Sequence, residues 1–401
     1  MADYNTTTQL SDSIRTQYLA DYVKGAVMNR LYDQLASPVG ANMAELSNGS
    51  TVQWNFLSAL DVRSQTISET TDVEPVLFVD TTGSITKTSR MNNVVCSEKL
   101  LNTTYTDYGK EWYRRLGENM MEEVDGLAKD AACQGALVRR YGMVARTSLD
   151  PSTAAYELGK AAFFEASTTL ANMKVPQYVS PRGKRWIAII HPYAFKDLLE
   201  DTAILALGEY QKPGIILNNE LGELGGFSIV VSPWAKVCYG AGAANGTAIE
   251  TTVGVAVTRG DTSVDVASET SMTQGMRLLV GTHETSNTHY PMNEEVIIAA
   301  TPSTSTVSII GQGENGGFRY SHAVGEAVSN DDHVCMNVFG GPESLVKVYD
   351  PEVGEYGELI PPYRDGSVKQ FVKAGWKWYG NYGRISENRI LRYETCTSVT
   401  A

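Results

Sequence analysis

The sequence predicts an α+β protein carrying an inserted all-β domain, and three features point there. Residues 11–36 and about 107–140 repeat apolar side chains every three to four positions, the spacing of a helix stripe. Two short β-branched runs, 186–190 and 227–231, have the composition of buried strands. Between about Cys238 and Val338 the chain alternates valine or isoleucine with polar residues and punctuates them with glycine turns.

At 401 residues the chain exceeds one ordinary domain and can bury a core without cross-links. Its five cysteines, Cys96, Cys133, Cys238, Cys335 and Cys396, lie far apart with no C-x-x-C pair. That pattern fits neither a disulfide framework nor a zinc site, so reduced thiols are expected. No apolar run reaches the length of a membrane span, and Met1-Ala2-Asp3-Tyr4-Asn5 lacks the regions of a signal peptide. The expectation is a soluble product of the cytosol with no cleaved N-terminal segment, in which the sequons at Asn5, Asn48, Asn102 and Asn245 are mere composition.

Lys and Arg number 33 and Asp and Glu 46, a net charge of −13 that opposes a polyanionic partner by Coulomb repulsion. Ordinary nucleic-acid binding is therefore excluded. A wall that encloses DNA without gripping it is permitted.

Along the chain, 11–36 reads as a helix through Ile14, Tyr18, Leu19, Tyr22, Val23, Ala26, Leu31 and Leu35, ended by Ser37-Pro38-Val39-Gly40. From Gly49 to Thr106, runs such as Thr51-Val52-Gln53-Trp54-Asn55-Phe56 are strand chemistry with too few large apolar residues for a core of their own; an extended ribbon is expected. Asp107 to about Arg140 is the longest helix, with Trp112, Leu116, Met120, Val124, Leu127 and Ala131 on one face and a length of about 50 Å. A further helix is expected over Pro151–Lys174. Trp186–Ile190 then runs as a strand into a helix from His191-Pro192, where proline in the first turn costs no hydrogen bond. Phe227–Val231 follows the glycines 222, 225 and 226, and strands close the chain at 367–372, 377–382 and 389–393.

Each possible chemical motif meets a simpler account. Gly311-Gln312-Gly313-Glu314-Asn315-Gly316 spells G-x-G-x-x-G, with Asp331 and Asp332 downstream, but no helix start follows and Glu314 would repel a phosphate; it reads as a glycine-rich turn. Arg259-Gly260-Asp261 reads as a tight hairpin. His283, His289, Glu284, Glu294 and Glu295 match no metal-ligand spacing and read as a solvated loop. His191, before proline, reads as a helix cap. Glu122-Glu123 and the basic groups Arg139-Arg140 and Arg182-Lys184-Arg185 read as surface, although the basic ones could face DNA. No nucleophile elbow or cysteine nucleophile is present, so no catalytic, cofactor-binding or metal residue is assigned.

The order of these segments resembles the shell fold shared by tailed-phage major capsid proteins, encapsulins and herpesvirus capsid floors. More specifically it is similar to the podovirus-type major capsid family, through Gly222-Glu-Leu-Gly-Gly-Phe-Ser-Ile-Val-Val-Ser-Pro233, Lys373-Ala-Gly-Trp-Lys-Trp-Tyr-Gly-Asn-Tyr-Gly383 and Arg389-Ile-Leu-Arg-Tyr393. The resemblance implies an N-terminal arm over 1–48, an extended ribbon over 49–106, and a spine helix with peripheral domain over 107–185. An axial domain would occupy 186–375, with the β insertion at about 241–334 pointing outward, and C-terminal strands 376–401 would return to the peripheral domain. It further implies a virion shell of hexamers and pentamers around double-stranded DNA, made in the host bacterial cytoplasm, without enzyme activity, cofactor or membrane. Portal and scaffolding proteins would be partners, with a cement or decoration protein outside. An encapsulin-like nanocompartment, a tail or decoration protein and a monomeric β-rich binding protein are the alternatives, separated by particle formation and by what a particle contains.

Overall fold

The computed structural model describes residues 31–38, 49–57, 69–70, 77–103, 108–149, 153–180, 183–202, 204, 222–238, 249–281, 293–330, 334–355, 357–365 and 370–398. The chain is α+β and divides into two compact units, Met1–Val124 with Val346–Ile385, and Asp125–Leu345 with Ser386–Ala401. The helix expected over 11–36 lies mostly outside the described residues; its end, Tyr32–Leu35, is a 3-10 turn leading into the strand Ala36–Pro38.

The first unit is organised by the fourteen-residue strand Phe371–Arg384. It pairs antiparallel with Thr88–Ser97 over ten positions, from Phe371↔Ser97 to Gly380↔Thr88, and with Glu358–Asp365 along its other edge. The strands Leu345–Tyr349 and Ala36–Pro38 complete the sheet. Two strands expected at 367–372 and 377–382 are one, because Gly375 serves close approach: a Cβ there would lie 2.6 Å from the Asn92 carbonyl oxygen. Trp376 and Trp378 are fully buried, and the Trp376 indole donates to Asn119 Oδ1 at 3.1 Å.

The long helix is Tyr108–Cys133, 26 residues. Of the expected face, Leu116, Met120, Val124 and Ala131 are buried, while Trp112 and Leu127 are half-buried and Tyr113 and Ala128 take the buried places beside them. The helix stops short of Arg140 because Val138–Arg139 pairs in parallel with Ile390–Thr395, and a sheet hydrogen bond replaces a helical one. The ribbon is present as Thr51–Leu57 against Asp80–Thr86. Val52 and Ile85, opposite each other, pack on Val346 and Val348, while Trp54 lies over its cross-strand partner Gly83. Leu77, Phe78 and Val79, which lead into the ribbon, are 83%, 61% and 62% exposed.

The second unit is built on a mixed sheet in the order Val138–Arg139, Ile390–Thr395, Val334–Gly340, Gly183–Ile190, Phe227–Val231, Glu223–Leu224. Gly225 and Gly226, with φ of +59° and +87°, make the two-residue turn that pairs Leu224 with Phe227. The core is a set of edge-to-face rings, Phe163, Phe227, Phe339 and Tyr393, at centroid distances from 4.9 to 6.5 Å. The expected helix over 151–174 begins late, as Lys160–Asn172, since Gly159 is extended and the Asp201 carboxylate accepts the Lys160 N–H at 2.9 Å.

The insertion leaves this sheet at Val237–Cys238 and returns at Val334–Cys335, and these residues pair with each other. It is an antiparallel sheet in the order Glu250–Thr252, Ala327–Ser329, Arg277–Gly281, Glu294–Ile298, Thr306–Ile310, Ser263–Asp265. Its two end strands meet through the Val253↔Val266 bridge, with Gly254 N–H to Asp265 O at 2.7 Å and Ala267 N–H to Thr252 O at 2.9 Å. The sheet thus closes into a small barrel filled by valine, isoleucine, leucine and Phe318. Closure explains the Arg259-Gly260-Asp261 turn. It is tight, with Gly260 at φ +92°, but its backbone bonds to Phe318, and the runs flanking it meet each other only further away at Val253 and Val266. Gly311 and Gly313 sit in a turn closed onto Gly316 and Gly317, and a Cβ at Gly317 would run into the Gly260 carbonyl oxygen. Gly317→Ala is therefore expected to cost the barrel about 1–3 kcal/mol through overpacking. Thermal unfolding reads this directly, and an unchanged midpoint would show that these backbones can separate freely.

Candidate functional site

The residues that could carry chemistry are almost all engaged in holding the fold. His191 caps the helix Pro192–Glu200 as expected, Nδ1 accepting the Tyr193 N–H at 3.3 Å. Glu295 accepts from the Tyr193 hydroxyl and from Arg277 Nη1 at 2.9 Å, and that guanidinium lies over the Tyr193 ring, so the barrel is tied to the helix at its base. Glu294 is bound to His322. His283, Glu284, His289, Arg182, Asp331 and Asp332 lie outside the described residues. Among the described residues no group of three His, Cys, Asp or Glu side chains is placed to hold a metal, and no helix is long and apolar enough to cross a membrane. Among the described residues Cys96, Cys133, Cys335 and Cys396 are not joined in disulfides.

Several basic side chains are similarly occupied. Arg185 pairs with Glu223, and Arg90 reaches Glu123 at 3.0 Å. Arg140 belongs to a node that sequence reasoning missed. Glu394, fully buried on strand Ile390–Thr395, accepts from Arg140 Nε at 2.6 Å and from Arg146 Nε at 3.0 Å. Arg392 Nε lies 2.9 Å away as an ion-pair partner, and its Nη1 donates to the Cys133 carbonyl oxygen. Burial alone would raise the Glu394 carboxyl; the Arg146, Arg392 and Arg140 guanidiniums outweigh it and hold the group below its ordinary value. Nothing in the sequence spacing joins residues 140, 146 and 394, because the strand pairing that brings them together is long-range. A comparable node in the first unit joins Lys347 to Asp33 at 2.8 Å and to Glu355 at 2.5 Å, with the Tyr382 hydroxyl donating to Asp33 at 2.7 Å.

What stays open is backbone. Thr88–Ser97 forms one edge of the first unit's sheet, and among the described residues no strand pairs with its outer side. Ten residues long, it has no proline and no lysine, and Met91 and Val95 on one face are 65% and 47% exposed. The opposite edge, Glu358–Asp365, is blunted by Pro361 and Pro362 at a register shift between Ile360 and Tyr363. Proteins commonly protect edges in that second manner. One edge is protected here and the other is not. A groove of about 480 Å³ beside the helix Lys160–Asn172, lined by Arg139, Phe164, Glu165, Thr168 and Met173, offers no convergent set of reactive groups.

No protein-family model and no curated protein sequence matches the chain. Solved structures do. The chain is similar to the capsid of the cyanophage P-SCSP1u, with a TM-score of 0.54, 10% identity and 92% of this chain against 89% of that one. It is similar to the capsid of Ralstonia phage GP4, with a TM-score of 0.53, 10% identity and coverage of 94% and 91%. A chain of Mycobacterium phage Che8 gives 0.51, 8% identity and 91% of each. The fold is that of phage capsid chains, over about nine-tenths of each.

Glu394→Ala is expected to cost about 3–5 kcal/mol, since two or three guanidiniums lose their buried partner. In the native protein, because the folded-state pKa is depressed, this carboxylate's contribution is complete above its ordinary value of 4.5 and is lost as pH falls through the lower folded value. Acid unfolding compared between native protein and variant checks both parts.

Proposed function

We propose that this chain is a major capsid protein, a shell subunit that assembles into the icosahedral head of a tailed phage around double-stranded DNA. The observation that carries the reading is a capsid-chain fold matched along nine-tenths of the length in both directions. The work of such a protein is contact rather than catalysis. It would form hexamers and pentamers, with the arm 1–48 and ribbon 49–106 lying across neighbours and the insertion, about 241–334, facing outward.

The open strand edge supports this reading. Leu77–Val79, which lead into the ribbon strand Asp80–Thr86, are exposed, and no strand among the described residues pairs with the outer side of Thr88–Ser97. A second copy is the natural partner for each. A net charge of −13 suits a container that packaged DNA must enter and leave. Portal and scaffolding proteins, and a cement or decoration protein outside, are the partners this role calls for. Synthesis would take place in the bacterial host's cytoplasm.

Light scattering with negative-stain imaging of the expressed chain, with a scaffolding protein if one is available, tests the proposal. Closed shells of many copies are expected, and a folded monomer under every condition would overturn it. Met91→Lys with Val95→Lys should leave the subunit folded by circular dichroism and abolish or sharply reduce shell yield. Undiminished shells from that variant would remove the strand edge from the assembly surface.

A further inference from the structure

The barrel contains one buried ionisable cluster that the assembly reading does not use. His322 is 2% exposed, and both ring nitrogens face carboxylates: Nε2 is 3.0 Å from Glu294 Oε1 and Nδ1 is 2.7 Å from Glu326 Oε2. An ionised carboxylate only accepts hydrogen bonds, so satisfying both contacts requires a proton on each nitrogen, which makes the ring an imidazolium. Because the nitrogens point to opposite sides of the ring, no single metal ion could be shared by the two carboxylates and the histidine.

The same carboxylates hold the backbone of the corner. Glu294 accepts the Arg319 and Tyr320 N–H groups, each at 2.9 Å, and Glu326 accepts the Ala323 N–H at 3.1 Å. The His322 backbone exchanges two hydrogen bonds with Val257, of 2.9 and 3.0 Å, which fastens this corner to the neighbouring run. The corner also touches the turn between Phe227–Val231 and Val237–Cys238, for the Arg319 guanidinium lies 5.1 Å over the Trp234 ring.

We propose that His322 is a protonation-controlled lock on this corner: the imidazolium draws Glu294 and Glu326 together, and loss of one ring proton releases segment 319–326 and its grip on Trp234. Removal of the proton would set a nitrogen lone pair against a carboxylate in a site with little water, a contact that can be relieved only by opening. The ionisable groups against the ring are Glu294 from the strand Glu294–Ile298 and Glu326 from the following turn, with the Phe318 ring on a face at 5.4 Å. Burial lowers the histidine's proton affinity, the two carboxylates more than restore it, and the net direction is up. With a raised folded-state pKa, the stabilisation is complete below about 6.5, the ordinary histidine value, and is lost as pH rises through the higher folded value. The lock is internal to the barrel and stands independently of assembly.

Hydrogen exchange of the full chain, followed in peptides covering 318–326 from about pH 6 to 9 and corrected for the intrinsic pH dependence of exchange, tests it. Protection should fall by about tenfold or more across that range. Glu326→Gln removes one carboxylate at the more exposed side of the cluster and should move the fall to lower pH, while His322→Gln should show low protection throughout. Histidine ¹⁵N shifts give the ring's charge independently, so a fold-disrupting variant does not decide the matter. A neutral ring at pH 6, pH-independent protection in the native chain, or an unmoved transition in Glu326→Gln would overturn the proposal.

Discussion

The backbone N–H and C=O groups along the outer side of Thr88–Ser97 need partners or water; the Asn92 side chain accepts the Asn93 N–H at 2.8 Å, but the described part of the folded chain supplies no strand to pair with the edge. Within the first unit this strand is one edge of the sheet. Its inner side is pinned over ten positions to Phe371–Arg384, whose Trp376 and Trp378 are buried, and Asn119 on the long helix accepts from both Asn92 and Trp376. A ten-residue edge free of proline and lysine is a hazard for a monomer and an asset for a subunit. The protected edge at Pro361-Pro362 shows that the same sheet carries the usual safeguard where it is wanted.

The second unit solves a different problem, that of carrying an extra domain without disturbing the host sheet. Because Val237–Cys238 pairs with Val334–Cys335, the chain departs and returns at adjacent positions, and the host gains or loses no register. The barrel closes on itself through Val253 and Val266 and so exposes little edge of its own. Its attachment is then fixed by side chains, Arg277 and Glu295 on Tyr193 and Arg319 on Trp234. A β insertion that left its edges open would compete with the sheet meant for assembly.

Local patterns were legible in the sequence, and long-range ones were not. The ribbon, the His191 cap, the buried strand Gly183–Ile190 and the glycine turns followed from alternation, proline placement and glycine chemistry. The long helix was legible in kind but not in extent, since its end is set by pairing with a strand some 250 residues later in the chain. The same holds for the Glu394 arginine node and the His322 cluster. Each joins residues whose meeting depends on sheet order, and a sequence pattern with a period of two or 3.6 carries no information about sheet order. Glu294, which reads from the sequence as part of a solvated loop, is buried on the strand Glu294–Ile298, where it holds a histidine and two backbone amides.

The most direct measurement of whether a second copy completes the open edge is amide hydrogen exchange across residues 88–97, in assembled particles and in the same protein dissociated into folded subunits. Completion by a neighbour predicts that protection along this strand's outer amides appears on assembly and vanishes on dissociation, while Phe371–Arg384 stays protected in both states. Equally fast exchange at 88–97 in both states would contradict it, and would require a shell held together by some other surface.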